Sequence, residues 1–416
     1  MNLNNEESLL SLEKTISSVN GIYIGSENNK NLFYFSNVVT DSRNVVENSL
    51  FVPLVGEFQN GHIYVDQAIE KGATVIFIDS KEYESNSNKY KELTEECKNL
   101  SVIVVENTLY ALQAIAETYV EQFPELIKVA ITGSSGKTTT KELVVSVLKQ
   151  KYNVVYTQGN FNSETGLPLS VFKIRKEHEV GVFEMGMNRQ DEIGEISKVL
   201  KPEYAIITNI GSAHIGMLGS RDNIAIEKKK AFTYVSKTGA VFIPAEDEYC
   251  NFLQKDVLGK VVLFGENVPS EISHVKYLKD CGLSGSVFCL DGIQINLKIP
   301  GIYNYRNALA SIALAKELDL TAEEIKAGIE NLSGLNSRME ATELNLKGNI
   351  KVNLIRDCYN ANFESMSSVI NFCDSLSNVN KRIYVLGDML ELGSESDEIH
   401  SKIGKQIAAG HSDYVI

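Results

Sequence analysis

The stretch Leu126–Thr140, LIKVAITGSSGKTTT, decides how this chain is read. It opens on a short apolar run, Leu126, Ile127, Val129, Ala130 and Ile131, with the length and composition of a buried strand. The turn Gly133-Ser134-Ser135-Gly136 follows, then Lys137, Thr138 and a helical pattern that puts Val144, Val147 and Leu148 on one face. Strand, glycine loop and helix start make an anion cradle. N–H groups at the helix N-terminus point at a phosphate, Lys137 adds charge, and the Thr138 hydroxyl can bind Mg²⁺. A glycine-serine turn beside a solvated Lys137 is the competing explanation; strand, loop, lysine and hydroxyl standing in order favour a nucleotide.

The loop is short. The general phosphate-loop pattern has a glycine five residues before Gly136, where this chain has Ile131. The turn is therefore Thr132-Gly133-Ser134-Ser135-Gly136-Lys137-Thr138, and by itself it does not say what ATP is used for.

Outward from this loop, apolar strands alternate with helical or looped segments from 126 to about 300, with strands expected at 126–132, 154–157, 180–185, 204–209, 240–244 and 261–264. That alternation predicts a parallel sheet covered by helices. Leu283–Leu290 and Ile293–Ile299 flank Asp291-Gly292, the pair a type I′ hairpin turn wants. Pro300-Gly301 leads into a helix from about Asn304 to Leu318. On the N-terminal side, the polar stretch Lys81–Asn99 interrupts the pattern before a strand at Val102–Val105 and a helix at Leu109–Phe123. Asn331–Ser337 reads as a linker, after which strand 350–356, helix 365–376, strand 382–387 and helix 399–408 make a small α/β unit. Tyr414-Val415-Ile416 reads as the opening of one more strand, so the last domain is expected to be truncated. The expected domains are 1–107, 108–333 and 334–416.

At 416 residues the chain is long for one core, and 43% hydrophobic residues is the composition of a soluble globular protein. A net charge of -14 without a basic tract argues against nucleic-acid binding. The N-terminus lacks the apolar and basic features of a signal peptide, and no apolar run approaches the roughly 18 residues of a membrane span. Six cysteines form no CxxC pair, which argues against zinc and for incidental thiols in a reducing cytoplasm. A cytoplasmic monomer without membrane insertion is expected.

In an open parallel sheet the C-terminal strand ends face the ligand crevice. Glu184 closes one strand, Asn209 closes another, and His214 follows in Thr208-Asn209-Ile210-Gly211-Ser212-Ala213-His214. A carboxylate and an imidazole behind a phosphate loop suit a Mg²⁺–ATP site that orients a second substrate, although a lone histidine is more often a loop or core residue. Gly159–Pro168 reads as an asparagine-rich turn, and Lys228, Lys229 and Lys230 as a solvated helix face. Asn304 and Asn307 share a helix face, which suits an adenine edge; helix capping by Asn304 competes. The loops Arg356–Met366 and Leu386–Gly393, after adjacent strands, form a second crevice rim.

These residues, in this order, resemble the Mur ligase family of ATP-dependent amide-forming enzymes of peptidoglycan synthesis, from about Thr40 to His400. The short loop resembles the family's own. Tyr359-Asn360-Ala361-Asn362 with Ser365-Met366, and Gly387-Asp388-Met389 with Glu391-Leu392-Gly393 and a later His400, resemble the member that adds D-alanyl-D-alanine. The resemblance implies an α/β fold of three domains, the central one a phosphate-loop parallel-sheet ATPase and the C-terminal one Rossmann-like. It implies ATP and Mg²⁺ as cofactors, and UDP-MurNAc-tripeptide and D-alanyl-D-alanine as substrates joined through an acyl phosphate.

By the same resemblance, Thr132, Gly133, Ser134, Ser135, Gly136, Lys137, Thr138 and Thr139 line the nucleotide, with Lys137 on the β- and γ-phosphates. Thr138 and Glu184 hold one Mg²⁺; His214 and a carbamylated Lys228 hold a second. Asn304 and Asn307 match adenine contacts, Arg338 a phosphate contact and Asp357 a ribose contact. Thr40, Asp41, Ser42 and Arg43, with Gly56 through His62, resemble the segment holding the uridine-diphosphate end; Asn160, Asn162, Asn360 and Asn362 are the remaining substrate positions. The family usually has Asp at Cys358, Pro at Phe363, His at Tyr303, Glu at Lys230 and Asp at Asn60. None of these departures removes a metal or phosphate ligand. Cys358 and Phe363 flank the run that marks the amine, so the alternatives are a related ligase adding a different amino acid or dipeptide, or an ATP-binding relative without catalysis.

Overall fold

The structure, a computed structural model, describes residues 8–416 apart from 33, 267, 269–273, 333, 336 and 349. The polar N-terminal residues 1–7, and positions 333 and 336 of the expected linker, lie outside the described residues. The chain divides into two compact units: Met1–Glu125 with Gln158–Lys176 and Lys198–Leu200, and Leu126–Thr157 with Glu177–Ser197 and Lys201–Ile416.

The first unit is built on a five-stranded sheet of β1 (Ile22–Ile24), β2 (Asn37–Val39), β3 (Ser49–Phe51), β4 (Ala73–Asp79) and β5 (Ser101–Val105), in the order β1-β5-β4-β3-β2. All its pairings are parallel except β1 with β5. The runs ATVIFID and SVIVV are apolar at nearly every position, as strands covered on both faces must be. Lys81–Asn99, expected to interrupt the pattern, instead supplies a helix, α1 (Ser80–Glu96), kinked at Asn86 and capped by Asp79. Its average polarity hid a narrow stripe: Tyr90 is fully buried, and Tyr83 and Leu93 pack beside it on the core of Phe51, Ile76, Ile78 and Val102. Helix α2 (Thr108–Val120) follows, its N-terminus closed by the Asn107 side chain accepting from Leu109 N and Tyr110 N.

The second unit carries the six-stranded parallel sheet that the alternation predicts. Its strands are β6 (Ile127–Thr132), β7 (Val154–Tyr156), β8 (Val180–Glu184), β9 (Tyr204–Ile207), β10 (Ala240–Pro244) and β11 (Lys260–Phe264), ordered β11-β10-β9-β6-β8-β7. The strand order reverses around β6, so Thr132, Glu184 and Ile207 end side by side at the switch point where such sheets bind ligands. Helix α3 (Lys137–Leu148) leaves the phosphate loop, and α4 (Arg221–Lys229) follows β9 after a short helical turn. A three-stranded antiparallel sheet comes next: β12 (Val275–Asp280), β13 (Ser286–Leu290) and β14 (Ile293–Leu297). Asp291 and Gly292 take φ of +49° and +86°, the two left-handed positions of the expected type I′ turn.

Helices α5 (Ile302–Glu317) and α6 (Ala322–Asn331) pack on α3 so closely that a Cβ on Gly328 would stand 2.4 Å from Val147 Cα. The remainder is a hairpin of β15 (Glu340–Leu346) and β16 (Ile350–Arg356), helix α7 (Phe363–Ser375), strand β17 (Ile383–Tyr384), helix α8 (Ser396–Ala409) and strand β18 (Tyr414–Val415), with β18 parallel to β17. Strands β12 and β15 have no counterpart in the sequence reading, because neither carries a buried apolar run: their exposure patterns are mostly open to solvent. Among the described residues no helix is long and apolar enough to cross a membrane, and the six cysteines are free.

Candidate active site

The phosphate loop is held from behind by the end of β9. Ser134 N donates to Asn209 O (3.1 Å), Ser135 N to Asn209 Oδ1 (3.0 Å), and Gly211 N to Ser134 Oγ (2.8 Å). Ser135 O accepts from Thr208 Oγ1 (2.6 Å) and Asn209 Nδ2 (3.0 Å). Neither loop glycine has open space for a side chain. A Cβ at Gly133 (φ +149°) would meet Thr208 Oγ1 at 1.9 Å, and one at Gly136 (φ +79°) would meet Asn307 Oδ1 at 2.6 Å. Gly136 starts α3, whose first N–H groups have no partner within the helix, which is the donor set a phosphate uses. Lys137 Nζ folds back to donate to Gly133 O (2.9 Å) and Ser134 O (3.4 Å); enclosure of its ammonium lowers its pKa against the pull of Glu184. Thr132 and Thr139 are buried beneath the loop.

Beside the loop lie the metal-competent groups. Thr138 Oγ1 donates to Glu184 Oε2 (3.0 Å), and Glu184, nearly fully buried at the end of β8, donates from its backbone N to Thr157 Oγ1. Lys228 corrects the expectation of a solvated lysine face. It is 0% exposed and, among the described residues, its Nζ has no hydrogen-bond partner. Burial, with Lys137 nearby, drives its pKa well below the usual lysine value, so the amine is inclined to be neutral. Its neighbours differ: Lys229 Nζ donates to Phe252 O and Lys255 O, and Lys230 pairs with Asp191 and Glu227. The helix turns only Lys228 inward, which a run of three identical letters could not reveal.

His214, at φ +67°, is held close by. Burial first, then Lys228 and Lys137, push its pKa down to about 3. The Glu391 carboxylate stands 2.5 Å from Nδ1 without hydrogen-bond alignment. It pulls the other way, and it is 44% exposed against 12% for the imidazole. Among the described residues no three or more His, Cys, Asp and Glu side chains converge on a metal position. The donors present fit a hard cation that completes its shell with phosphate oxygens: a hydroxyl and carboxylate in contact, an imidazole, and a buried amine that would offer oxygen once carbamylated.

On the far side of the loop, Asn304 is buried at the start of α5, donating from Nδ2 to Pro300 O (2.7 Å) and accepting from Asn307 Nδ2 (3.1 Å). It is not the helix cap, since Gly301 occupies that position. Arg338 stacks over the Tyr359 ring (4.3 Å) and reaches Thr138 Oγ1 at 3.5 Å. Asp357 accepts from Met339 N, and burial raises its pKa.

The C-terminal motif loops reach the same place. Asn362 caps α7 by accepting from Ser365 N and bonds Ser135 Oγ of the phosphate loop (Nδ2 to Oγ, 2.8 Å). Asn360 is exposed and turned onto Ala361 N. In the other loop, Met389 N donates to His400 Nε2 (3.0 Å), so His400 shapes the Gly387–Gly393 turn. Two contacts were not foreseen from the sequence: Glu364 with Ser212, and Glu391 with His214. Neither has a local signal, since each joins residues more than a hundred positions apart.

The remaining expected residues lie in the first unit. Asp41 caps a short 3₁₀ turn and forks onto Arg43 (Nη2 to Oδ2, 2.7 Å), whose hydrogen bonds hold the Asp41 carboxyl below its ordinary range. Ser42 Oγ donates to Gln67 Oε1 (2.6 Å), and Thr40 precedes this turn, partly buried. Asn60 accepts from His62 N and Nδ1 while His62 Nε2 accepts from Asp79 N, which fixes one ring tautomer. Asn160 and Asn162 lie in a turn closed by Asn162 N donating to Asn160 O (2.7 Å).

Residues 34–120 match the Mur ligase family catalytic domain, 131–315 the Mur ligase middle domain, and 337–416 the Mur ligase glutamate ligase domain. The UDP-N-acetylmuramoyl-tripeptide–D-alanyl-D-alanine ligase of Treponema pallidum is 42% identical over 374 residues, 89% of this chain and 77% of that one. The crystal structure of MurF from Acinetobacter baumannii superposes with a TM-score of 0.83 at 28% identity, covering 97% of this chain and 84% of the other. MurF from Thermotoga maritima in complex with ADP gives 0.73 at 26% identity, over 91% and 87%. The short phosphate loop, the three successive domain matches and a relative this similar over most of both lengths lead to one conclusion: the chain belongs to the Mur ligase family.

Proposed function

We propose that this chain is the ATP-dependent ligase that joins D-alanyl-D-alanine to UDP-MurNAc-tripeptide in peptidoglycan precursor synthesis. The observation that carries the reading is the junction of Asn362, in the run that marks the amine, with Ser135 of the phosphate loop. It puts the segment expected to meet the dipeptide against the segment expected to meet ATP.

In this account the N–H groups opening α3 and the Lys137 ammonium take the β- and γ-phosphates; Lys137 leaves its loop carbonyls to do so. The peptide's terminal carboxylate attacks the γ-phosphorus, ADP departs, and an acyl phosphate forms. The dipeptide amine then adds to the acyl carbon, and the tetrahedral intermediate expels phosphate to leave the amide. Such chemistry is mostly positioning and charge neutralisation. Mg²⁺, when bound, neutralises phosphate charge; Thr138 and Glu184 would hold one ion, His214 and Lys228 the other. Lys228 fits carbamylation because its amine is buried and, among the described residues, without a hydrogen-bond partner, and CO₂ combines with the neutral form. Asn304 and Asn307 would meet adenine, Asp357 the ribose and Arg338 a phosphate. Thr40–Arg43, Asn160 and Asn162 would meet the UDP-linked substrate, and Asn360 with Asn362 the dipeptide. The working divisions are 1–107 for that substrate, 108–333 for ATP and 334–416 for the C-terminal domain, in a cytoplasmic monomer where ATP and nucleotide-linked precursors are found.

Phosphate release from ATP, with and without each substrate, tests this. Release that requires the tripeptide and D-Ala-D-Ala together is expected; release indifferent to both would sink it.

A further inference from the structure

The start of α7 sends two side chains onto the phosphate site. Asn362 bonds Ser135 Oγ; Glu364, two residues on, accepts from both Ser212 N and Ser212 Oγ at 2.9 Å. Ser212 belongs to the segment Thr208–His214 between β9 and the short helix Ile215–Leu218. The first part of that segment is tied to the phosphate loop and to Asp247: Thr208, Asn209 and Gly211 bond Ser134 and Ser135, and Ile210 N donates to Asp247 Oδ2 (2.8 Å). Past Gly211 these ties end. Ser212 is the last residue before His214 with a side-chain partner outside its own turn, and that partner is Glu364. The fit is close, since a Cβ on Gly211 would stand 2.8 Å from Glu364 Cδ. On the other flank of His214, Gly216 N donates to Glu391 O (2.9 Å). The turn presenting the imidazole is thus gripped on both sides by the C-terminal domain.

We propose that Glu364 is a positioning residue: its carboxylate, by accepting both donors of Ser212, fixes the turn that aims His214 at the phosphate site. Docking of the C-terminal domain then completes the site's metal-binding edge. This rests on the reading of His214 as a metal ligand. Groups that orient a ligating histidine typically change metal affinity by about 10- to 100-fold when removed.

The test is titration of the full-length protein with Mn²⁺ in the presence of ADP, following free Mn²⁺ by electron paramagnetic resonance, with ADP affinity and thermal unfolding measured alongside. Glu364→Ala should weaken Mn²⁺ binding about 10-fold or more, with ADP affinity and unfolding temperature close to wild type. Glu364→Gln should recover most of the loss, because its amide can accept from Ser212 N and donate to Ser212 Oγ. Gly211→Ala should reproduce the defect from the other side by displacing the carboxylate, and Ser212→Ala combined with Glu364→Ala should be no worse than Glu364→Ala alone. His214→Ala is the reference. If it loses Mn²⁺ while Glu364→Ala binds as wild type, the role of Glu364 is overturned and the metal assignment stands. If His214→Ala itself binds as wild type, the metal assignment falls and the proposal with it. Should Glu364→Ala not fold, Gly211→Ala and Ser212→Ala, judged by the same titration, decide the matter.

Discussion

The phosphate-loop half of the second unit and its C-terminal half are built differently. Strands β6 and β8 are buried at almost every residue, and the loop between β6 and α3 is fixed by five bonds to Thr208, Asn209 and Gly211. The β15–β16 hairpin is open to solvent at most positions, and the β17–β18 pair is two residues long. The first half is a preformed mould, in which an added methyl at Gly133 or Gly136 runs into a neighbouring side chain. The second contributes a handful of side chains, Arg338, Asp357, Asn362, Glu364 and Glu391, at the edge of that mould. Substitutions in the mould should therefore abolish function, whereas substitutions at the edge should grade it.

The contrast is sharpest at Lys137. Lys137→Met should cut kcat on the order of 10³-fold, since on the proposed reading it removes the charge that meets the transferring phosphoryl group; steady-state turnover checks it, and a merely few-fold loss would dissolve the distinction between mould and edge. Lys228→Met should lose activity that bicarbonate cannot restore, yet stabilise the metal-free protein. In the wild type the unfolded chain takes a proton that the buried amine refuses, so stability is lost as pH falls from about 10.5 towards the lowered folded value. The variant's advantage in thermal unfolding should thus be larger at pH 7 than at pH 10, by roughly 1–2 °C per kcal/mol recovered. Equal unfolding temperatures at both pH values would break the account of Lys228.

Gly133→Ala tests the mould itself. The added methyl collides with the hydroxyl that holds Ser135 O, at a backbone angle that favours glycine. A destabilisation of about 2 kcal/mol or more in urea unfolding is expected. The smallest effect is expected at the edge. Arg338→Ala should raise the KM for ATP about 10-fold, the worth of one charge-assisted contact, and leave the unfolding temperature near wild type; a loss as deep as that of Lys137→Met would show that the edge is no edge.

The same contrast explains what could be read from the chain before its fold was known. β6, β8, β9 and β10 were legible because parallel strands covered on both faces are continuous apolar runs, and Gly133–Thr138 because a phosphate loop is a local pattern. β15 was not, since solvent on its surface leaves no periodic signal in EATELNL. Lys228 was legible only through resemblance: nothing in a row of three lysines says which one turns inward. The bonds from Glu364 to Ser212 and from Asn362 to Ser135 pair residues remote in sequence, and their letters suit a solvated helix start equally well. Average polarity also misled at Ser80–Glu96, where Tyr90, with Tyr83 and Leu93 beside it, docks a helix otherwise made for water.

The central claim concerns which amine is joined, and it is tested by offering purified protein, ATP, Mg²⁺ and UDP-MurNAc-tripeptide a panel of amines: D-Ala-D-Ala, single D- and L-amino acids and mixed dipeptides. Products are identified by mass. The account predicts a UDP-MurNAc-pentapeptide formed from D-Ala-D-Ala in strong preference to every other amine, with one ADP released per amide. Preferential coupling of a single amino acid, or no coupling of any amine by protein that binds ATP, would contradict it.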